Sequence, residues 1–227
     1  MARFYSIKKK DEDDGRTADP FGVLRTNLRL KVKDRQQQSQ NIYEMAKAYV
    51  FLADGFEDIE ALAPVDILRR GGIDVKTVSI SESELVKSAH GVKVKADLLF
   101  PEADFSDADL LMLPGGMPGA KNLDEHIGVR QALLRHNEAG RLIGAICAAP
   151  MVLGHLGLLR GKRATCYPGF ETELDGATYT AEPCCADGNI ITGKGPGASF
   201  VYAYRLLEEF KGESVVEELK KGMMWEY

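Results

Sequence analysis

Residues 142–153 constrain the fold more than any other part of the sequence. Leu142 to Ile146 form a short, wholly apolar run, which is typical of a strand that is buried on both faces. Cys147 follows at once, and residues 148–155 have the composition of a helix with a proline in its first turn. A buried strand that leads directly into a helix indicates an α/β protein with a mostly parallel sheet.

The same alternation of strands and helices extends from Met45 to the end of the chain, with a hairpin or edge excursion in residues 85–100. It predicts a flavodoxin-like three-layer sandwich, in which ligands bind beyond the carboxyl ends of the strands. The predicted strands cover residues 48–53, 74–80, 108–113, 142–146, 164–167 and 189–192, and the predicted helices cover residues 57–70, 127–139, 199–210 and 214–221.

Composition excludes several classes of protein. No run approaches the roughly 18 apolar residues of a membrane span, and the first thirty residues lack the apolar centre of a secretory signal, so a cytoplasmic location is expected. A net charge of -5 argues against non-specific binding of nucleic acid. The four cysteines have no CxxC spacing, so we expect reduced thiols and neither a zinc site nor a disulfide framework.

Residues 1–44 differ in kind from the rest of the chain. They carry a net charge of +3, whereas residues 45–227 carry -8. They contain few large apolar residues and end in the polar run 35–41, so they lack the material for a core. We predict a disordered or linker-like extension in front of one domain at 45–227. A basic recognition arm is the alternative.

Cys147 is the candidate nucleophile. It lies where a predicted strand ends and a helix begins, so its sulfur faces the unpaired N–H groups and the positive end of that helix. Such a position favours the thiolate and is expected to lower the pKa of the thiol below about 8.5. The alternative is that Cys147 is a small buried residue of the core.

Acidic and glycine-rich segments at the same edge of the sheet offer partners for this thiol. Glu60 has apolar neighbours, and a carboxyl buried beside a thiolate has a raised pKa and can act as an acid or a base. The N–H groups of Gly116 and Ala148 can hold an oxyanion. The alternatives are that the acid only favours a helix N-terminus and that the glycines only form a turn. Residues 193–199 resemble an anion-binding loop but lack the spacing of a phosphate site.

Five motifs occur in a fixed order along the chain: DGFEDIE at 54–60, ILRR at 67–70, LPGG at 113–116, AICAAP at 145–150 and KGPG at 194–197. This ordered set resembles the ThiJ/PfpI superfamily, and most closely its branch that includes the parkinsonism-associated protein deglycase. The resemblance covers residues 45–221. It implies that Cys147 is an oxidisable nucleophile, that Glu60 is the acid touching its sulfur, and that Gly116 and Ala148 are backbone donors. It also implies a homodimer that needs no cofactor or metal.

Two departures from this family narrow the function. Alanines follow Cys147, where the peptidase-like branches carry a histidine, so protease activity is disfavoured. Tyr167 stands where the human-type relative carries another histidine. The sequence offers no other obvious histidine to orient the thiol, so general acid–base work is expected to fall on Glu60.

Two classes of function are compatible with these residues. The first is a glyoxalase or deglycase acting on a small aldehyde, methylglyoxal, or on its adducts. The second is a non-catalytic thiol redox sensor or chaperone that uses oxidation of the same cysteine. Both depend on Cys147, Glu60 and the backbone donors, so the sequence leaves the choice between them open.

Overall fold

The computed structural model describes residues 45–226, so the extension predicted at 1–44 lies outside the described residues. The fold is mixed α/β. Its helices are α1 (Asp58–Arg70), α2 (Gly119–Glu125), α3 (Ile127–Glu138), α4 (Pro150–His155), α5 (Ser199–Lys211) and α6 (Glu213–Gly222). Its strands are β1 (Lys47–Leu52), β2 (Asp74–Ser79), β3 (Leu85–Lys87), β4 (Lys93–Lys95), β5 (Leu98–Leu99), β6 (Leu110–Leu113), β7 (Leu142–Ile146), β8 (Arg163–Ala164), β9 (Thr178–Tyr179), β10 (Cys184–Asp187) and β11 (Ile190–Gly193).

Seven strands form the central sheet, in the order β10-β11-β7-β6-β1-β2-β5. All neighbours pair in parallel except β10, which runs antiparallel to β11. The five inner strands therefore have the predicted flavodoxin-like order. Because the carboxyl ends of parallel strands meet at one edge, the segments after β1, β6, β7 and β11 converge there.

Helices cover both faces of this sheet. α1 packs along α5, and α6 packs on α5, whereas α2, α3 and α4 form a second group. β7 contacts both α3 and α5, and its last four residues are buried. Burial on both faces explains why this strand is a continuous apolar run. None of the helices in the described part of the chain is long and apolar enough to cross a membrane.

The strand predicted at 164–167 is present only at its start, as β8, and it lies outside the central sheet. β8 is a two-residue strand that pairs with β9 in a separate small sheet. The backbone N–H of Thr165 instead donates to the side chain of Thr192. The hairpin predicted within residues 85–100 is present, because β3 pairs antiparallel with β4. β10 and the short α2 were not predicted, since neither has a clear apolar period.

His155 links the end of α4 to two other segments through a pair of carboxylates. Its Nδ1 lies 2.8 Å from Asp124 at the end of α2, and its Nε2 lies 2.9 Å from Glu173. Both nitrogens can donate only in the imidazolium form. Partial burial alone would lower the pKa of His155, but the hydrogen bonds and charges of the two carboxylates raise it above its ordinary value.

This raised pKa predicts a pH dependence of stability. A histidine with a raised pKa in the folded state stabilises the fold below about pH 6.5, the ordinary value. That stabilisation is lost as the pH rises through the folded-state pKa of His155. We expect His155→Gln to lower the melting temperature at acidic pH and to reduce its decline above pH 6.5. Thermal unfolding between pH 5 and pH 9 measures this, and parallel curves for the two proteins would contradict it.

Candidate active site

Cys147 lies in a strained turn at the carboxyl end of β7. Its φ angle is 67°, in the left-handed region that side chains with a Cβ rarely adopt. Two neighbouring segments hold it there. Its N–H donates to the carbonyl of Gly193 (2.9 Å), and its carbonyl accepts from the N–H of Tyr167 (2.9 Å). Strain that the surrounding structure maintains at a sheet edge is common at functional sites.

The Glu60 carboxyl lies against this thiol. Glu60 is fully buried in the first turn of α1, and its Oε2 accepts from the N–H of Gly115 (3.0 Å). A hydrogen bond joins its side chain to that of Cys147. The side chain of Glu57 caps the same helix by accepting from the N–H of Glu60 (2.7 Å). This hydrogen bond fixes the backbone position of Glu60 in the first turn of α1.

Two glycines make this approach possible. A Cβ at Gly115 would lie 2.6 Å from both the Cβ of Cys147 and the Oε2 of Glu60. A Cβ at Gly116 would lie 2.4 Å from the backbone nitrogen of Glu57, and this glycine has a positive φ of 84°. The loop after β6 therefore passes between the thiol and the start of α1 because it carries no side chains there.

Backbone N–H groups complete the surroundings of the sulfur. The N–H groups of Gly116 and Ala148 both form hydrogen bonds with the side chain of Cys147. The structure thus brings together all four residues that the sequence predicted for the site, namely Cys147, Glu60, Gly116 and Ala148. They come from three segments that follow β1, β6 and β7.

Glu60 titrates near neutrality. Burial raises the pKa of Glu60 to about 7, and the charge of Glu57 adds to this effect. The hydrogen bonds from Cys147 and from the N–H of Gly115 act in the opposite direction. A carboxyl with a pKa in this range can both accept and donate a proton near neutral pH.

The expected lowering of the pKa of Cys147 is wrong. Burial, followed by the charge and hydrogen bond of Glu60, raises the pKa of this thiol, and the N–H groups of Gly116 and Ala148 only partly offset them. The sequence argument considered the helix but not the carboxylate, and α4 itself begins only at Pro150. The two groups therefore titrate as a coupled pair, and one proton remains between them once Glu60 has ionised.

Other cysteines lack such a partner. Burial raises the pKa of Cys166 to about 11 and that of Cys184 to about 12. The carboxylates near these two thiols, Glu171 and Glu182, act on their pKa values only as charges and not through hydrogen bonds. Neither thiol therefore has a proton acceptor of the kind that Glu60 provides.

The hydrogen bonds of the histidines lead away from Cys147. His126 caps α3 by accepting from the N–H of Val129 (3.1 Å), and His90 pairs with Asp58 at the surface (2.7 Å). His136 is buried, and its Nε2 lies 3.0 Å from the carbonyl of Leu142. None of the hydrogen bonds of these histidines reaches Cys147, so Glu60 is the group that the described residues place for proton transfer.

An open apolar pocket lies beside Tyr167, whose N–H is bonded to the carbonyl of Cys147. It has a volume of about 330 Å³ and is lined by Tyr167, Pro168, Pro183 and residues 194–198. The backbone of Cys147 is hydrogen-bonded to Tyr167, which lines this pocket, and to Gly193, which directly precedes the lining residues 194–198. The sequence did not predict this pocket, because its walls come from segments that are distant along the chain.

Within the described residues, Glu57, Asp58 and His90 form the group whose side-chain atoms are close enough together to share a metal ion, all within 4.8 Å. The contact between His90 and Asp58 is an ordinary surface ion pair, and Glu57 already caps α1. This group therefore needs no metal to account for its geometry.

Comparison with known proteins decides the family. The sequence model of the DJ-1/PfpI family matches residues 46–209, which is most of the chain. The chain belongs to the DJ-1/PfpI family. This match confirms the resemblance to the ThiJ/PfpI superfamily. The crystal structure of Drosophila melanogaster DJ-1beta has the same fold, with a TM-score of 0.78. The two sequences are 34% identical, and the comparison covers 81% of this chain and all of that one.

Several curated relatives share this domain. "Protein DJ-1 homolog B" of Arabidopsis thaliana is 38% identical over 88% of this chain and 46% of its own length, so the chain spans about half of that relative. Two others are named glutathione-independent glyoxalases. They are DJR-1.2 of Caenorhabditis elegans, 32% identical over 74% of this chain and 89% of its own length, and DJ-1 of Schizosaccharomyces pombe, 30% identical over 79% and 98%.

The close approach at Gly115 gives a direct prediction. In Gly115→Ala, the new Cβ would lie 2.6 Å from both the Cβ of Cys147 and the Oε2 of Glu60, so the thiol and the carboxyl must move from their positions. We expect alkylation of Cys147 at pH 7 to slow by about tenfold, the scale of losing one charge-assisted hydrogen bond. Gly222→Ala is the matched control, since a Cβ there meets no atom within 4 Å. Equal rates in both variants would contradict the geometry.

Proposed function

We propose that the protein is a cysteine-dependent glyoxalase or deglycase that acts on methylglyoxal or its adducts without a cofactor. The observation that carries this proposal is the buried Glu60 carboxyl, with a pKa of about 7, in contact with the Cys147 thiol. The two relatives named glutathione-independent glyoxalases support it. The family resemblance supports the choice of substrate.

The first chemical step needs only these two side chains. The Cys147 sulfur attacks the aldehyde carbon and a C–S bond forms, while the Glu60 carboxylate takes the thiol proton. The carbonyl oxygen then carries the negative charge. The N–H groups of Gly116 and Ala148, which contact the sulfur in the free protein, lie where they can stabilise this oxygen. Protonation of the oxygen gives a hemithioacetal.

The second part of the reaction moves a proton along the bound substrate. Removal of the C1 proton and protonation of C2, both through Glu60, convert the hemithioacetal into a thioester of lactate. Water then cleaves the thioester and restores the thiol. The balance is one methylglyoxal and one water to one lactate, with no net oxidation. The apolar pocket beside Tyr167 is suited to the methyl end of the substrate.

A homodimer and a cytoplasmic location also belong to this proposal. Ile59 and Leu62 on α1 and Leu85 and Val92 near the β3–β4 hairpin are exposed apolar side chains. The hairpin is bonded to the segment before α1, since the N–H of Gly55 donates to the carbonyl of Lys87 (2.8 Å). An apolar surface of this kind supports self-association, which light scattering tests.

The second candidate is a redox sensor or chaperone. Peroxide would oxidise the Cys147 thiolate through a sulfenic to a sulfinic acid, taking up two oxygen atoms. Glu60 and the backbone N–H groups would then stabilise the sulfinate, and altered partner binding would follow. The observation that favours this candidate is that the N–H groups of Gly116 and Ala148 form hydrogen bonds with the Cys147 side chain itself.

Product analysis tests the proposed activity. Purified protein is treated with a chelator and incubated with methylglyoxal in the absence of glutathione, and lactate is followed by proton NMR. A parallel reaction starts from the adduct of methylglyoxal with N-acetylarginine. The proposal predicts lactate in at least one reaction at a rate well above that of buffer. Lactate formation no faster than in buffer in both reactions would refute it in favour of the sensor.

A further inference from the structure

Buried oxygens that have no protein partner mark a second layer behind the active site. In the described part of the chain, they include Oε1 of Glu60, Oγ of Ser199 and Oη of Tyr202. All three residues are fully buried. Leaving a buried polar atom without a hydrogen bond is costly, and proteins satisfy such atoms with ordered water where no protein group reaches them.

These oxygens belong to two helices that pack side by side. Glu60 lies on α1, and Ser199 and Tyr202 lie one turn apart on the buried face of α5. Burial, together with the charges of Cys184 and Glu60, raises the pKa of Tyr202 well above its ordinary value. The tyrosine hydroxyl is therefore a neutral hydrogen-bond donor over the whole physiological range, and it lies within the field of the Glu60 carboxyl.

The missing side chain of Gly144 leaves the space that the Tyr202 hydroxyl occupies. A Cβ at Gly144 would lie 2.4 Å from Oη of Tyr202. Gly144 lies in the middle of β7, a buried central strand, where glycine is unfavourable because it has no side chain to pack. A phenylalanine at position 202 would not need this gap. The strand thus lacks a side chain at the one point where the hydroxyl lies.

We propose that Tyr202 is a positioning residue for Glu60, and that its hydroxyl and that of Ser199 bind an ordered water that donates a hydrogen bond to Oε1 of Glu60. This inference rests on the proposed pairing of Glu60 with Cys147 and extends it to α5. A donor at Oε1 keeps the acid proton on Oε2. Oε2 is the oxygen near the Cβ of Cys147, and it can accept from the N–H of Gly115 while its own O–H points to the sulfur.

The groups around Glu60 determine whether loss of the Tyr202 hydroxyl raises or lowers the pKa of Glu60. Glu57 faces it from the start of α1, Cys147 from the end of β7 and Tyr202 from α5, with Cys184 behind the tyrosine. Among them, the tyrosine hydroxyl and the Cys147 thiol are the neutral donors. Removing a donor to a carboxylate disfavours its charged form, so the pKa of Glu60 rises.

The test measures the rate of Cys147 alkylation by iodoacetamide against pH, with mass spectrometry to identify the labelled peptide. In the wild type we expect a step near pH 7, where Glu60 titrates. In Tyr202→Phe the step moves upward by about 0.5–1 pH unit, the scale of one hydrogen bond. Ser199→Ala shifts it in the same direction. Tyr204→Phe is the matched control, since that hydroxyl contacts Met223 instead (3.5 Å).

A double variant separates positioning from packing. In Tyr202→Phe with Gly144→Ala, the new Cβ occupies the space of the lost hydroxyl, so the melting temperature is expected to recover towards that of the wild type. The step in alkylation stays shifted, because the donor is still missing. Recovery of the wild-type step, or an unmoved step in Tyr202→Phe, would overturn this proposal alone. A wild-type profile with no step near pH 7 would overturn the pairing of Glu60 with Cys147 as well.

Discussion

Cys147→Ala is expected to lower methylglyoxal turnover by a factor on the order of 10⁴ or more, the scale of losing a catalytic nucleophile. No other group described in the site can form the C–S bond, since Glu60 and the backbone donors only move or stabilise charge. The fold should persist because alanine is smaller and fits the same turn. Lactate formation measured by NMR on both proteins gives the ratio.

Cys166→Ala is the matched control for this substitution. Cys166 is also fully buried, and burial raises its pKa to about 11. The groups that act on the Cys166 thiol are Glu171 and the backbone of Phe170, and not Glu60 or the donors of the site. We expect it to retain most of the turnover. Comparable rates in Cys147→Ala and Cys166→Ala would remove Cys147 from the chemistry.

Glu60→Gln is expected to lower turnover by about 10²-fold or more, the usual scale of a general acid–base group. Glutamine keeps the size of the side chain and can still accept from the N–H of Gly115, so far-UV circular dichroism should change little. It cannot take the proton of the Cys147 thiol. Asp66→Asn on the exposed side of the same helix, where Asp66 pairs with Arg70, is the control.

The same Glu60→Gln variant separates the two candidate functions. An enzyme loses turnover, whereas a sensor changes how readily peroxide adds two oxygen atoms to Cys147, as followed by intact mass. A variant that matches the wild type in both assays would exclude Glu60 from the site.

The sequence predicted those parts of the site that depend on topology. Cys147, Glu60 and Gly116 each follow a strand of a parallel sheet, and the carboxyl ends of such strands must meet at one edge. Their proximity therefore followed once the order of strands and helices was recognised. The family motifs then indicated which residues at that edge carry the chemistry.

Properties that depend on distances through space were not predictable. The sign of the shift in the pKa of Cys147 depends on burial and on the charge of Glu60, which is 87 positions away in the sequence. The fit of the Tyr202 hydroxyl against Gly144 joins residues on a helix and a strand that carry no common motif. The short strands β8 and β9 contain two residues each, which is too few to give a period.

The central claim is that Cys147 and Glu60 share one proton and act as a unit. The most direct measurement is the pH dependence of Cys147 alkylation in the wild type and in Glu60→Gln. The wild-type rate is predicted to rise through a step near pH 7, the titration of Glu60, and this step is predicted to disappear in the variant. Identical profiles for the two proteins would contradict the claim.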